Sequence, residues 1–161
     1  MAVTKKKVAK PTAKKAPAKK APAKKAAPAK TTITEISVTG NKKIGTLCNE
    51  FNKKFPYICL VISEISSLDD IKSGKRIHSI DPNKTLASVR VVKSGGDISI
   101  RGNKKIKSLE EEFKKAFGLC AQVGYRTAEG KNYYTMGADE KTLASFNDEC
   151  EAKGCQKGGW K

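Results

Sequence analysis

A five-residue motif that could bind phosphate occurs twice in the chain. Gly-Asn-Lys-Lys-Ile stands at 40–44 and again at 102–106, each time before a stretch with helical spacing. The first backbone N–H groups of a helix lack intrahelical acceptors, and such groups beside two lysines could hold a phosphate. The sequence also leaves open a solvated turn whose lysines only keep the protein soluble. The candidate residues in and beside the two motifs are Lys42, Lys43, Arg101, Lys104 and Lys105.

A lysine-rich segment at the N-terminus is the second candidate for anion binding. The first thirty residues contain eleven lysines, ten alanines, four prolines and no acidic residue. The prolines remove backbone donors, the lysines repel one another, and almost no large apolar side chain is present to be buried. Residues 1–32 are therefore predicted to form a disordered, extended basic arm. The candidate nucleic-acid-binding residues of the arm are Lys5, Lys6, Lys7, Lys10, Lys14, Lys15, Lys19, Lys20, Lys24, Lys25 and Lys30.

The distribution of charge indicates a polyanionic partner. The whole chain has a formal charge of +17, of which the first thirty residues carry +11. The remaining 22 basic and 16 acidic residues leave only +6 on 31–161. Each phosphate that a lysine neutralises releases a condensed counterion, which favours binding. Nucleic acid is therefore the predicted partner, with DNA favoured over RNA.

Several features of the sequence indicate the cellular compartment of the protein. No apolar run approaches the roughly 20 residues of a membrane span, and the N-terminus lacks the apolar region of a signal peptide. The five cysteines contain no Cys-x-x-Cys pair, which is typical of a reducing compartment. We therefore expect an intracellular protein with no membrane partner, in the cytoplasm or nucleoid of a bacterium or in the nucleus of a eukaryote. The sequence leaves the oligomeric state open.

The residues that could support catalysis or hold a metal do not form a recognisable set. His78 is the only histidine, and the sequence places no base beside a cysteine or serine nucleophile. Five residues separate Gly124 from Gly130-Lys131, whereas a phosphate-binding P-loop has four between its glycines and a Ser or Thr after the lysine. The prediction is a protein that is not an enzyme and has neither a cofactor nor a metal site.

Beyond the arm, the sequence repeats itself. Residues 36–55 align without gaps on residues 98–117, and twelve of the twenty positions are identical. A second block, Lys-Thr-Leu-Ala-Ser, occurs at 84–88 and at 141–145. Two matched blocks in the same order indicate an internal duplication. The predicted organisation is an arm at 1–32, a first unit at 33–95 and a second unit at 96–161, packed on each other because each is small for a core of its own.

Each unit has the pattern of a βαββ fold, which makes the predicted fold class α+β. Apolar residues alternate at 36–38 and 98–100, as in strands, and then follow at helical spacing to Phe55 and Phe117. Further strands are predicted at 57–62 and 119–123, at 76–80 and 132–136, and at 89–92, with a helix at 146–153. The expected core clusters consist of Leu47, Phe51 and Phe55 in one unit and Leu109, Phe113 and Phe117 in the other.

The residues also carry two resemblances. The Ala-Lys-Lys-Ala-Pro units of the arm resemble the tails of linker histones and of bacterial histone-like proteins. A helix followed by a strand, a Gly-Lys turn, a further strand and a Thr-Leu turn resembles the later part of the ubiquitin-like β-grasp fold, best seen in AEGKNYYTMGADEKTLASF. The units are also similar to short tandem modules in uncharacterised bacterial proteins. The first strand of the β-grasp hairpin has no counterpart.

Two functions from different classes follow. The first is non-enzymatic, sequence-nonspecific nucleic-acid binding of the histone-like, nucleoid-associated type, in which the arm lies along the phosphates. The alternative is a protein-interaction adaptor, in which the duplicated grasp-like body binds a protein partner through a sheet face or edge. In that case the arm only tethers the adaptor to nucleic acid.

Overall fold

The computed structural model describes residues 35–67, 69–70, 73, 78–93, 95–135 and 138–160. The predicted arm at 1–32 lies outside these residues. The described chain is a mixed α+β fold with two small antiparallel sheets. Its elements are β1 (Ile36–Val38), α1 (Ile44–Lys54), β2 (Ile58–Glu64), a 3-10 turn (Ile65–Ser67), α2 (Leu86–Val89), β3 (Ile98–Ile100), α3 (Ile106–Phe117), β4 (Leu119–Arg126), β5 (Asn132–Tyr134) and α4 (Leu143–Ala152).

The smaller sheet joins two strands that are far apart in the sequence. β1 pairs with β3 in an antiparallel register that sets Ile36 opposite Ile100. At the centre of this pair, Ser37 faces Ser99, its match in the sequence alignment. The alternating burial of both strands puts their isoleucine and valine side chains into the core.

The larger sheet has the order β2-β4-β5 and also joins distant segments. β2 and β4 run antiparallel, with Val61 opposite Gln122 at the centre of the ladder. β5 pairs only with the last part of β4, from Gly124 to Arg126. Among the strands of the described residues, β2 therefore lies at one edge of this sheet, and the first part of β4 has no paired residue on its β5 side.

Helices α1 and α3 supply the same aromatic face to one continuous core. Leu47 and Phe51 have no exposed surface, and neither do Leu109 and Phe113. The rings of each helix pack in pairs, with centroids 5.0 Å apart for Phe51 and Phe55 and 5.5 Å apart for Phe113 and Phe117. The burial of both predicted aromatic clusters is confirmed, and they belong to a single cluster with the inward side chains of β1–β4.

The two helices end differently, and this changes the alignment of the strands that follow. Gly118 takes a left-handed conformation, with φ of 65°, and leads directly into β4. After α1, Phe55 has φ of −125° and ψ of 81°, outside both the helical and the extended regions, and two further residues precede β2. Simple extension of the gapless alignment would match Cys59 with Ala121 and Cys120 with the core residue Ile58. In the structure, Cys59 and Cys120 lie together in a small separate cluster, whereas Ile58 and Ala121 belong to the main core. A correction of the alignment by one residue after the helices would match the two cysteines with each other.

Some predicted strands are not strands. Residues 78–80 have no strand structure, although the Ile80 N–H donates to the Ile62 carbonyl at 2.9 Å, and residues 76–77 lie outside the described part of the chain. The strand predicted at 89–92 is wrong, because Val89 is the last residue of α2 and the next residues form bends. The Thr85 hydroxyl caps this helix by accepting from the Ser88 N–H.

The last helix is longer than its prediction. α4 begins at Leu143, directly after the capping residue Thr142, and ends at Ala152. Gly154, with φ of 70°, comes after the capping residue Lys153 and ends the helix. β5 covers the first part of the strand predicted at 132–136, whose Met136 lies outside the described residues.

Candidate nucleic-acid interface

The two Gly-Asn-Lys-Lys turns lie at helix starts, as predicted, but the first two amides of each helix are already bonded. The Ile44 N–H donates to the Lys84 carbonyl at 3.0 Å, and the Gly45 N–H donates to the Pro82 carbonyl at 2.8 Å. At the start of α3, Ile106 and Lys107 donate in the same way, both at 3.0 Å, to the carbonyls of Lys141 and Asp139. The first two amides of each helix are therefore satisfied within the chain, which removes one of the two supports for a phosphate site.

The first lysine of each turn is paired with a glutamate two helical turns further on. The Lys42 ammonium lies 2.6 Å from a carboxylate oxygen of Glu50, and these side chains are 18% and 31% exposed. Lys104 makes the matched ion pair with Glu112. Both lysines thus fold back along their helices, and their charge is largely neutralised by the body itself.

Two of the other three candidate cations in the body also have carboxylate partners. Lys105 lies 2.7 Å from Glu140, and the pKa of that carboxyl is lowered chiefly by the hydrogen bond from the lysine. Arg101 lies 2.8 Å from Glu35, whose pKa is lowered by hydrogen bonds from Ser99 and then from Arg101. Among the described ion pairs, Lys43 is the only one of the five candidates without a carboxylate, and it is exposed.

Cations at the opposite ends of the same helices were not singled out by the sequence. Lys53 on α1 and Lys114 and Lys115 on α3 lie in the last helical turns and are exposed. Cations are stabilised there by the partial negative charge of the helix end. Lys54 differs, because it donates to the Ile100 carbonyl at 3.4 Å and burial lowers its pKa. The internal repeat alone could have indicated Lys53 and Lys115, since these two positions match in the alignment of 36–55 with 98–117.

The groups considered for catalysis are not brought together. His78 is exposed. Burial raises the pKa of the Cys48 thiol to about 11 and that of the Cys59 thiol to about 12, so both are protonated at neutral pH. In the described part of the chain, no three His, Cys, Asp or Glu residues are placed to hold a metal ion. No helix of that part is long and apolar enough to cross a membrane.

Two cavities flank the larger sheet at matched places. A cavity of about 600 Å³ lies between α1, the edge strand β2, residues 79–82 and the end of the described chain. A smaller one, of about 160 Å³, lies between α3 and the first part of β4. Neither cavity could be predicted from the sequence, because each is formed by segments that meet only in the folded chain.

The end of the chain contributes the only tryptophan to the larger cavity. The Trp160 indole N–H donates to the Tyr125 carbonyl at 3.2 Å, and its ring meets Tyr134 edge-on at 4.7 Å. A Cβ on Gly124 would lie 2.6 Å from the indole, so the glycine makes room for the ring. In the sequence, the only feature that draws attention to Gly124 is its spacing from Gly130, which does not match a phosphate-binding loop.

Comparison with known proteins gives no relative from which to infer a function. The chain matches no protein-family model, no curated protein and no solved structure. The resemblances to histone-like tails and to the β-grasp fold therefore stay predictions. The function has to be argued from the residues and their geometry.

Proposed function

We propose that this protein is a non-enzymatic, sequence-nonspecific nucleic-acid-binding protein that acts through its basic arm. The observation that carries the proposal is a contrast in free charge. The arm has eleven lysines and no acidic residue. In the body, by contrast, four of the five candidate cations are paired with carboxylates. The arm thus has the larger capacity to release counterions from DNA or RNA, with DNA as the expected partner.

We further propose that the body consists of two tandem units, 33–95 and 96–161, related by a local two-fold axis. Positions that match in the sequence face each other at Ser37 and Ser99. With the one-residue correction after the helices, Val61 and Gln122 also become matched and again face each other. The repeated lysine–glutamate pairs support the same description. In this proposal the body presents Lys53, Lys114 and Lys115 as secondary phosphate contacts.

The decisive experiment measures binding against salt concentration for two variants. In the first, the eleven arm lysines are replaced by glutamine; in the second, the matched control, the four turn lysines Lys42, Lys43, Lys104 and Lys105 are replaced. If every arm lysine bound a phosphate, log K would fall against log salt with a slope of about −10, and roughly half that slope is expected in practice. The arm variant should lose most of the slope, and the turn variant should lose at most about one unit of it.

Two outcomes would overturn the proposal. One is full-length protein whose affinity for DNA does not change with salt between dilute and physiological buffer. The other is an arm variant that binds as tightly as the unmodified chain, since binding would then reside in the body.

A further inference from the structure

Four exposed cations surround the C-terminal end of α3 and are called the α3-end patch here. Two belong to the last turn of α3 and two to the segment after α2: Lys114, Lys115, Arg90 and Lys93. The Val91 N–H donates to the Phe117 carbonyl at 2.9 Å, which holds that segment against the helix end. A Cβ on Gly95 would lie 2.7 Å from the Ala116 carbonyl and 3.2 Å from the Arg90 guanidinium, so this guanidinium also lies beside the helix end.

The charges of the α3-end patch are not neutralised within the described part of the chain. None of its four side chains takes part in the ion pairs of the described residues. The segments 90–96 and 114–118 contain no acidic residue. The Gly118 N–H donates to the Lys114 carbonyl at 2.9 Å, so this carbonyl and that of Phe117 are satisfied by backbone donors. The four cations are therefore available to an external anion.

The matched end of α1 is different. There the Lys54 ammonium donates to the Ile100 carbonyl at 3.4 Å, and the residue matched to it at the end of α3 is Ala116. The Tyr57 hydroxyl, just beyond α1, donates to the carboxylate of Glu151, which adds a negative charge at this end. The concentration of free positive charge is therefore a property of the end of α3 and is not imposed by the repeated fold.

We propose that the α3-end patch is the surface through which the body binds the phosphates of a nucleic-acid duplex. The inference rests on the proposed function for the class of partner, and it adds a surface on the body that includes Arg90 and Lys93. A duplex carries one charge per about 1.7 Å of its axis, whereas an extended acidic polypeptide carries one per about 3.4 Å. Four neighbouring cations release more counterions from the denser polyanion. A guanidinium can also donate two parallel hydrogen bonds to one phosphate.

The experiment uses the full-length chain with its eleven arm lysines replaced by glutamine, so that the body supplies the phosphate contacts. The affinity of this arm variant for a DNA duplex of mixed sequence is measured against salt concentration. If all four cations of the patch contacted phosphates, the slope of log K against log salt would be about −3.6. About −2 is expected, because not every cation reaches a phosphate at the same time.

Two pairs of substitutions in the arm variant test the patch. Arg90→Gln with Lys93→Gln should reduce the slope to about −1, since each phosphate contact contributes about one unit. The matched control is Lys84→Gln with Lys107→Gln, which removes the same charge beside the starts of α1 and α3 and should keep the slope near about −2. All four side chains are exposed, so thermal melting should show an intact fold in both variants. Equal losses from the two pairs would overturn the patch, because only net charge would then matter.

A second probe distinguishes a duplex from an acidic protein. Polyglutamate with the same number of charges should bind the arm variant roughly tenfold more weakly than the duplex, because its charges are further apart. If polyglutamate bound as tightly as the duplex and lost its affinity with Arg90→Gln and Lys93→Gln, the assignment to phosphates would be overturned.

The same measurements separate this inference from the proposed function. If the unmodified chain binds the duplex and the arm variant does not bind even in dilute buffer, the arm function stands and the patch is overturned. If the arm variant binds as tightly as the unmodified chain and Arg90→Gln with Lys93→Gln weakens it, the proposed function is wrong and the patch is supported. If neither chain binds the duplex, both are overturned.

Discussion

In the half of the body that contains α1 and β2, the helix flank beside the sheet carries a cysteine and two asparagines, whereas the matched flank of α3 carries Glu110, Glu111 and Lys114. The inward faces of the same helices hardly differ: a leucine and two phenylalanines are buried in each. Inward positions are constrained because any change in volume is felt by both halves of one shared core. Positions on the flank touch solvent, so the side chains there can differ between α1 and α3 without loss of the fold.

The largest expected effect on stability tests whether the buried faces of α1 and α3 contribute equally to the free energy of unfolding. Phe51→Ala and Phe113→Ala each empty a site with no exposed surface. We expect each to lower the free energy of unfolding by about 3–5 kcal/mol, measured by chemical denaturation at constant pH. The two losses should agree closely. A small loss at one of them would show that the corresponding helix face is not part of the shared core.

The next prediction concerns the different helix ends. Gly118 has φ of 65°, and a Cβ there would lie 3.1 Å from the Val91 Cβ. Gly118→Ala should cost about 2 kcal/mol, from left-handed backbone strain together with this close contact. Gly96→Ala is the matched control, because a Cβ there meets nothing within 4 Å. Equal stabilities of the two variants would contradict the left-handed cap.

A smaller, pH-dependent effect on stability is expected on the flank of α3, where Glu110 lies, and not on the matched flank of α1, which has no carboxyl at that position. Burial, and next the charge of Asp139, raise the pKa of Glu110 to about 7, although hydrogen bonds from Gln122 and Val123 partly oppose this. A carboxyl whose pKa is raised on folding favours the folded state below its ordinary pKa of 4.5 and loses that advantage as the pH rises through 7. Glu110→Gln should therefore stabilise the body at pH 8 by about 1 kcal/mol, after allowance for partial exposure, and have little effect near pH 4.

The control for this prediction is the neighbouring residue on the same helix. Glu111 is exposed, so Glu111→Gln should shift stability by less than about 0.5 kcal/mol at either pH. Denaturant midpoints of both variants between pH 4 and pH 8 provide the measurement. A Glu110→Gln variant whose stability follows the unmodified chain at every pH would show that folding does not raise the pKa of this carboxyl.

The smallest expected effect concerns the lysine–glutamate ion pairs at the starts of α1 and α3. Cations at helix N-termini are unfavourable, so the sequence alone predicts that Lys42→Gln and Lys104→Gln cost nothing. The ion pairs with Glu50 and Glu112 change this expectation to a loss of about 0.5 kcal/mol each. Double-mutant cycles with Glu50→Gln and Glu112→Gln should give similar coupling energies. A coupling above about 2 kcal/mol would mean that these pairs are buried ion pairs rather than surface ones.

The sequence predicted the parts of the fold that depend on local patterns. Helical spacing was enough to locate α1 and α3 and the burial of Phe51 and Phe113, because the apolar face of a helix repeats within a few residues. The strand predicted at 89–92 failed because valine propensity was outweighed by the Thr85 cap, which begins a helical turn instead. The pairing of β1 with β3 and of β2 with β4 could not be predicted, since each of these two ladders joins segments about sixty residues apart.

The candidate site was predicted less well than the fold. The motif around Lys42 and Lys104 was identified correctly as a pair of helix starts. The sequence did not predict that the charges of the cations in and beside the motif are neutralised. Glu140 and Glu35 reach Lys105 and Arg101 only across the folded chain. The cavity beside Trp160 depends on contacts between the chain end and β2, and no local pattern encodes such contacts.

The antiparallel pairing of β2 with β4 has a consequence for the order of events during synthesis. β2 is complete at Glu64, but its partner strand ends only at Arg126. A nascent chain that has left the ribosome as far as α2 therefore carries the apolar run of β2 without its partner, as β1 also lacks β3. Closing such distant pairings is slow, and unpaired strands associate readily with other chains. The body can acquire its sheets only after β4 has been synthesised, so release of the chain before Arg126 would yield an aggregating fragment with unpaired strands rather than a smaller folded protein.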